Sequence, residues 1–206
     1  MGVSDDAADV LRGFNVSRES EQKLRAFVDL LREWQAKMNL VSKTSMADVW
    51  RRHVADSLQL LRLMPQTPQV IADLGSGAGF PGLVLALAGR HQVHLYESIG
   101  KKALFLREAI RATGATAEVH QMRIEDIKEP PRVDFVTARA LAPLDRLLAL
   151  ALPFLDRGAT GLFMKGQDVD EELTKATKSW RIKFDKHPSL TDSRSVILAV
   201  TEARHG

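Results

Sequence analysis

Val70-Ile-Ala-Asp73-Leu-Gly75-Ser-Gly77-Ala-Gly79-Phe80-Pro81-Gly82 is the stretch on which the fold turns. Val70 to Leu74 is a short, almost wholly apolar run, the pattern of a strand buried on both faces. Glycines follow it directly at alternate positions, and an apolar helix then runs through Ala88. Glycine is needed where the chain turns sharply and its N–H groups approach a ligand closely. Pro81 suits the first turn of the following helix, where its missing N–H costs nothing. A strand, a glycine turn and a helix in this order form a nucleotide-binding unit.

The same alternation continues outward. Val93–Glu97, Ala117–Met122, Val133–Thr137 and Gly161–Lys165 read as strands. Helices over Lys101–Thr113, Leu144–Leu152 and Val169–Lys178 separate or follow them. Arg181–Lys186 and Ser195–Thr201 read as two closing strands with no helix between, hence an antiparallel pair. An open, mostly parallel, doubly wound α/β sheet is expected. Upstream the period becomes helical. Leu24, Phe27, Val28, Leu31, Trp34 and Met38 form one face of a helix beginning near Ser17. After a break over Asn39–Thr44, Ser45-x-x-Asp48 fits a capping box ahead of a second helix to about Leu63. Its apolar face carries Val49, Trp50, Val54, Leu58 and Leu61. Residues 1–16 read as frayed or weakly helical. Pro65 and Pro68 place a boundary between a helical extension, residues 1–64, packed on the core, and the sheet domain, residues 65–206.

Composition excludes several functions. There are no cysteines, so disulfides, thiolate metal sites and a cysteine nucleophile are absent. Six histidines are scattered without paired ligand spacing, and no metal site is expected. No apolar run reaches the roughly 20 residues of a membrane span. The acidic start, Met1 to Asp9, lacks the features of a signal peptide, so a cytoplasmic protein is expected. The net charge of +3 equals the excess of residues 178–206 alone, too small to indicate nucleic-acid binding by itself.

The ligand class follows from what surrounds the glycines. Gly77-x-Gly79-x-x-Gly82 also satisfies the dinucleotide pattern. A pyrophosphate, however, needs free N–H groups at the helix start, where bulky Phe80 and Pro81 stand. Asp73 adds negative charge that repels phosphate and suits a ligand bearing ammonium and sulfonium groups. Glu97, at the end of the second strand, lies where an acid captures ribose hydroxyls in either nucleotide class.

Asp73-Leu-Gly-Ser-Gly-Ala-Gly-Phe-Pro-Gly82 resembles the first motif of class I methyltransferases. Its Phe-Pro-Gly form is that of the bacterial 16S ribosomal RNA guanine-N7 methyltransferases, the RsmG (GidB) family. Further matches are Asn39-Leu40, Arg52-His-Val-Ala-Asp-Ser57, Glu97-Ser-x-x-Lys-Lys102 with Phe105-Leu106, Arg123-Ile-Glu125, Ala138-Arg-Ala140 and Lys165-Gly166. The resemblance implies a Rossmann-like fold and S-adenosylmethionine as cofactor. It implies a cofactor site of Asp73, Gly75, Gly77, Phe80, Glu97, Ile124, Glu125 and Arg139. Ile124 is suited to pack on adenine and Glu125 to accept from its amino group. The implied substrate is a guanine in the 530 loop of 16S ribosomal RNA, and the implied partner is the small ribosomal subunit. No DNA, membrane or obligate protein partner is expected.

Arg123, Arg139 and Lys165 fall just past three strands, on one rim of the sheet. Arg123 and Lys165, with Arg194 from the basic C-terminal stretch, are expected to face RNA, and Arg139 to lie nearer the cofactor. His53, on the apolar face of the second helix, is expected to be a packed residue. Guanine N7 carries an in-plane lone pair and no proton near neutral pH, so methyl transfer to it requires no general base. No catalytic acid or base is nominated; rate enhancement is expected from positioning.

Overall fold

The computed structural model describes residues 7–206. The reading of residues 1–16 as frayed therefore lies partly outside the described residues; within them α1 (Ala7–Leu11) is a helical turn with Ala7 and Leu11 buried. In α2 (Arg18–Gln35) the Ser17 hydroxyl caps the start, accepting from the Ser20 N–H at 3.1 Å. Leu24, Phe27, Val28 and Leu31 are fully buried, as their spacing requires. The Gln35 side chain closes the break beyond α2: it accepts from the Leu40 and Val41 N–H groups and donates to the Val41 carbonyl.

The next helix begins three residues earlier than Ser45-x-x-Asp48 suggests. Ser42 is the cap of α3 (Lys43–Met46), accepting from the Ser45 N–H at 3.1 Å. Ser45 is buried within that turn, and its hydroxyl donates back to the Ser42 carbonyl instead of starting a helix. The chain from Trp50 to Leu63 is not one regular helix. It widens into a π-helical turn over Trp50–Ala55, passes through α4 (Asp56–Leu58) and tightens to a 3₁₀ helix over Gln59–Leu63. Such widened turns are frequent at functional sites, and this one bears Arg52 and His53.

Parallel strands β1 (Val70–Leu74), β2 (Gln92–Tyr96), β3 (Ala117–His120), β4 (Phe135–Arg139) and β5 (Thr160–Lys165) alternate with α5 (Gly82–Ala88), α6 (Gly100–Thr113) and α7 (Leu144–Leu155). Helix α8 (Val169–Ala176) and an antiparallel pair, β6 (Trp180–Pro188) and β7 (Val196–His205), complete the sheet. Its order is β3-β2-β1-β4-β5-β7-β6. The doubly wound α/β sheet expected from the alternation is present, with β7 antiparallel to β5. Helix α7 continues past Pro153 to Leu155, because Phe154 and Leu155 are buried and hold its last turn. The closing strands are longer than their apolar pattern, since the ladder continues to Trp180 opposite His205.

Two cores flank the sheet. One is shared by α5, α6 and the N-terminal helices, the other by α7, β6 and β7. Strand β1 lies at the centre, and the strand order reverses between β1 and β4; ligands bind at the carboxyl ends of strands at such a point. Phe27 of α2 joins the extension to the sheet domain, its ring 5.4 Å from Phe80 and 6.2 Å from Phe105. Phe27→Ala should cost about 3–5 kcal/mol, read as a lower urea midpoint with little change in the slope of the transition.

Candidate active site

Gly75, Gly77 and Gly79 adopt φ values of +70°, +57° and +90°, which side chains other than glycine's rarely tolerate. The turn they make is held from β2. The Gly75 and Ser76 N–H groups donate to the Tyr96 carbonyl at 2.9 and 3.0 Å. Glu97 accepts from the Gly77 N–H at 2.9 Å with one carboxylate oxygen and from the Ile99 N–H at 2.7 Å with the other. The acid thus ties the glycine turn to the start of α6.

Two cavities open over this end of the sheet. The first, about 340 Å³, lies over the ends of β1, β2 and β3. Gly75, Gly77, Glu97, Ile124 and Glu125 all line it, as does Arg123. Glu125 is paired with Arg146 at 3.1 Å. The second, about 390 Å³, lies toward β5 and β7 and is lined by Asp56, Gln59, Arg139, Lys165 and Glu172. Both volumes fall in the roughly 300–1,000 Å³ range of small-molecule sites. Ala140, Leu141 and Ala142 line both cavities and so form the wall between them. Ala140 has φ +51°, and Leu141 packs over Gly75, where a Cβ would stand 2.6 Å from Leu141 Cδ1.

Of the eight residues expected at the cofactor, Asp73, Phe80 and Arg139 do not line the first cavity. Asp73 is fully buried beneath the turn, accepting from the Thr137 hydroxyl at 2.7 Å; burial pushes its carboxyl above the usual range, and the Thr137 hydrogen bond opposes this. Phe80 is buried between the N-terminal helices and β4. The His53 ring stacks on it at 4.7 Å and the Arg139 guanidinium lies 5.3 Å from its centroid. Arg139 turns toward the second cavity, donating to His53 Nδ1 at 2.7 Å, the Arg52 carbonyl at 3.2 Å and Asp56 at 3.3 Å.

The cations expected to face RNA are placed differently from one another. Arg123 is exposed at the mouth of the first cavity. Arg194 is exposed beside Asp192. Lys165 does not project into solvent: its side chain is 8% exposed, pairs with Glu172 at 2.6 Å and donates to the Ala142 carbonyl. Helix α8 brings the Glu172 carboxylate back over β5, a contact with no local sequence signal. Sequence reasoning also missed Asp56, Gln59 and Leu141, all of which reach the site through tertiary packing. His53 is packed, as its apolar face implies. Arginine has no acceptor, so His53 Nδ1 must be the accepting nitrogen and the ring is neutral.

A central glycine turn between parallel strands, with adjoining cavities at the reversal of strand order, defines the class of Rossmann-like nucleotide-binding folds. Solved structures of that class share the fold. The chain is similar to M. jannaschii TYW2 in complex with AdoMet, with TM-score 0.58 and 12% identity over 83% of this chain and 80% of that one. It is also similar to a TehB-like SAM-dependent methyltransferase from Corynebacterium glutamicum, with TM-score 0.54 and 14% identity over 85% and 97% of the two chains. Residues 20–197 match the family described as rRNA small subunit methyltransferase G (GidB), and the chain belongs to that family. It is 50% identical to the Ribosomal RNA small subunit methyltransferase G of Rhodospirillum centenum, across 95% of this chain and 90% of the relative.

His53 makes the stability of the site dependent on pH. Burial, then the charges of Arg139 and Arg52, lower its pKa from 6.5 to about 3. The neutral ring is favoured in the fold, so its contribution is complete above the unfolded value and is lost as pH falls toward the folded one. The stability of the native chain relative to His53→Gln should therefore decline from pH 6.5 downward, as followed by urea midpoints at successive pH values.

Proposed function

We propose that the chain transfers a methyl group from S-adenosylmethionine to N7 of a guanine in the 530 loop of 16S ribosomal RNA. The observation that carries this reading is the pair of cavities sharing the Ala140–Ala142 wall, in a chain of this family. The first cavity suits the cofactor. Its floor at Gly75 and Gly77 has no side chains, Glu97 stands where ribose hydroxyls need an acceptor, and Ile124 and Glu125 suit the face and amino group of adenine. The second receives the guanine, with Arg139 on that side. Asp73 and Phe80 act from beneath, holding the turn in shape. The helices before Pro65 form an extension on the catalytic domain of residues 65–206, contributing Asp56 and Gln59 to the acceptor side.

The cofactor, when bound, supplies a methyl group on a positively charged sulfur. Guanine N7 has its lone pair free and loses no proton on methylation, so the side chains need only hold donor and acceptor in line. Orientation of this kind supplies roughly 7–11 kcal/mol in favourable cases. A single-stranded loop is a fitting acceptor, because the narrow A-form major groove shields N7 in a duplex.

RNA approaches along a cleft of mixed charge, where three arginines stand beside Asp48, Asp56 and Asp192. Arg51, Arg52 and Arg194 line a depression that also includes Asp56 and Ser195, residues shared with the second cavity. Arg123 guards the other end. Phosphate contacts position a nucleic acid without reading its bases.

Incubating small subunits with methyl-labelled S-adenosylmethionine, then cleaving the RNA at N7-methylguanine, tests the reaction. Label at one guanine of the 530 loop is expected; label at another position, or none with a saturated cofactor site, overturns the assignment. Arg194→Glu and Arg123→Glu should each weaken methylation of subunits while leaving equilibrium binding of S-adenosylmethionine nearly unchanged. Glu97→Gln should weaken that binding by about ten- to a hundredfold, the worth of a hydrogen bond to a charged group.

A further inference from the structure

At the β2–β3 edge of the sheet, away from both cavities' acceptor side, three side chains of metal-ligand type meet. Residues two apart on a strand share a face. His94 and Tyr96 on β2, and Glu118 and His120 on β3, all point to the face that α7 covers, where Tyr96 meets Phe154 at 5.9 Å. The register sets His94 opposite Glu118 and Tyr96 opposite His120. His94 Nδ1 lies 2.9 Å from His120 Nε2, and Glu118 Oε2 lies 3.9 Å from the first and 4.0 Å from the second.

We propose that His94, Glu118 and His120 bind one zinc-type divalent ion, joining β2 to the edge strand β3. The three ligand atoms already lie within 4.8 Å of one another. Zinc–nitrogen bonds of about 2.0–2.1 Å in a tetrahedral site place ligand atoms roughly 3.3 Å apart. The imidazoles would open by about 0.4 Å and the carboxylate close by about 0.6 Å from the present triangle. Glu118, two-thirds exposed, is free to make that movement, while the two rings are held: the His94 side chain is 12% exposed, and Tyr96 stacks on His120 at 4.7 Å and 20°.

Two imidazole nitrogens and one carboxylate suit zinc, nickel or copper, and not magnesium or calcium, which take oxygen ligands. Three protein ligands leave a fourth position for water. Among the described residues strand β3 pairs only with β2, and it runs directly into the segment from Met122 to Glu125 that lines the first cavity. A metal bridge there would fasten an edge strand otherwise held from one side. The spacing His94 and Glu118-x-His120 is invisible as a motif because 23 intervening residues hold a helix and two turns.

The untagged chain, stripped with a chelator and titrated with zinc chloride in a calorimeter, decides the matter. One zinc per chain is expected, with magnesium chloride giving no heat. Binding should be lost in His120→Asn and weakened at least about tenfold in Glu118→Gln, since even residues that merely orient a ligand are worth that much. His187→Asn and His205→Asn should bind as the native chain does. Melting curves without metal check that each variant folds, and Glu118, being exposed, is the variant least able to disturb the fold. Zinc uptake below one per chain, or uptake unchanged in both Glu118→Gln and His120→Asn, would overturn the proposal and leave the imidazoles as a hydrogen-bonded pair. The readout is independent of methyl transfer.

Discussion

Nothing but hydrogen fits at the α-carbon of Gly82 where the chain enters α5. A Cβ there would stand 2.6 Å from the Asp73 side chain and from Leu95 Cδ2. Because that space is already filled, β1 and α5 pass in contact, and the turn between them must rise over the end of the sheet. Three left-handed residues accomplish this. The raised turn then exposes Gly75 and Gly77 to the first cavity and throws Phe80 backward, away from it, against Phe27 and His53. One packing constraint thereby shapes the cavity floor and supplies the anchor for the N-terminal helices.

That anchor is polar on its other side. Arg139 leaves the end of β4 and gathers His53 and the Arg52 carbonyl from the π-helical turn and Asp56 from the start of α4. A buried ion pair adds little net stability, because desolvation offsets most of the attraction. Its effect here is positional. The guanidinium fixes which face of the irregular helix looks toward β4, and this brings Asp56 and Gln59 to the second cavity. The neutral imidazole is part of the same arrangement, since a charged ring could not accept from Arg139.

The sheet and the residues that line the first cavity are legible in the sequence for a physical reason: both depend on short-range rules. Glycine at alternate positions, a strand before and a helix after specify the turn without reference to the rest of the chain. Glu97, Ile124 and Glu125 follow because the ends of successive parallel strands meet at one rim. The misreadings are of another kind. Ser42 and Ser45 both satisfy a capping pattern, and only the Gln35 clamp on residues 40 and 41 decides between them. The sequence does not reveal which way the Phe80 ring faces, and it packs against Phe27 and His53. Lys165 reads as free because Glu172 reaches it from a different element.

The difference between the two cavities has a consequence for how firmly each ligand is specified. The first is built mostly from one β1–turn–β2–β3 unit, whose geometry parallel strands and glycines impose in any chain of this fold. The second borrows from α4, the 3₁₀ helix after it, β4, β5, α8 and β7. Its shape therefore depends on how an N-terminal extension and a C-terminal strand pair dock on the common core, and those parts are not required by the fold itself. A chain with the same central unit but other flanking elements would keep the first cavity and present a different wall to the second. The wall of the second cavity is thus set where Arg139 meets the helices before Pro65, across a contact spanning more than 80 residues of sequence.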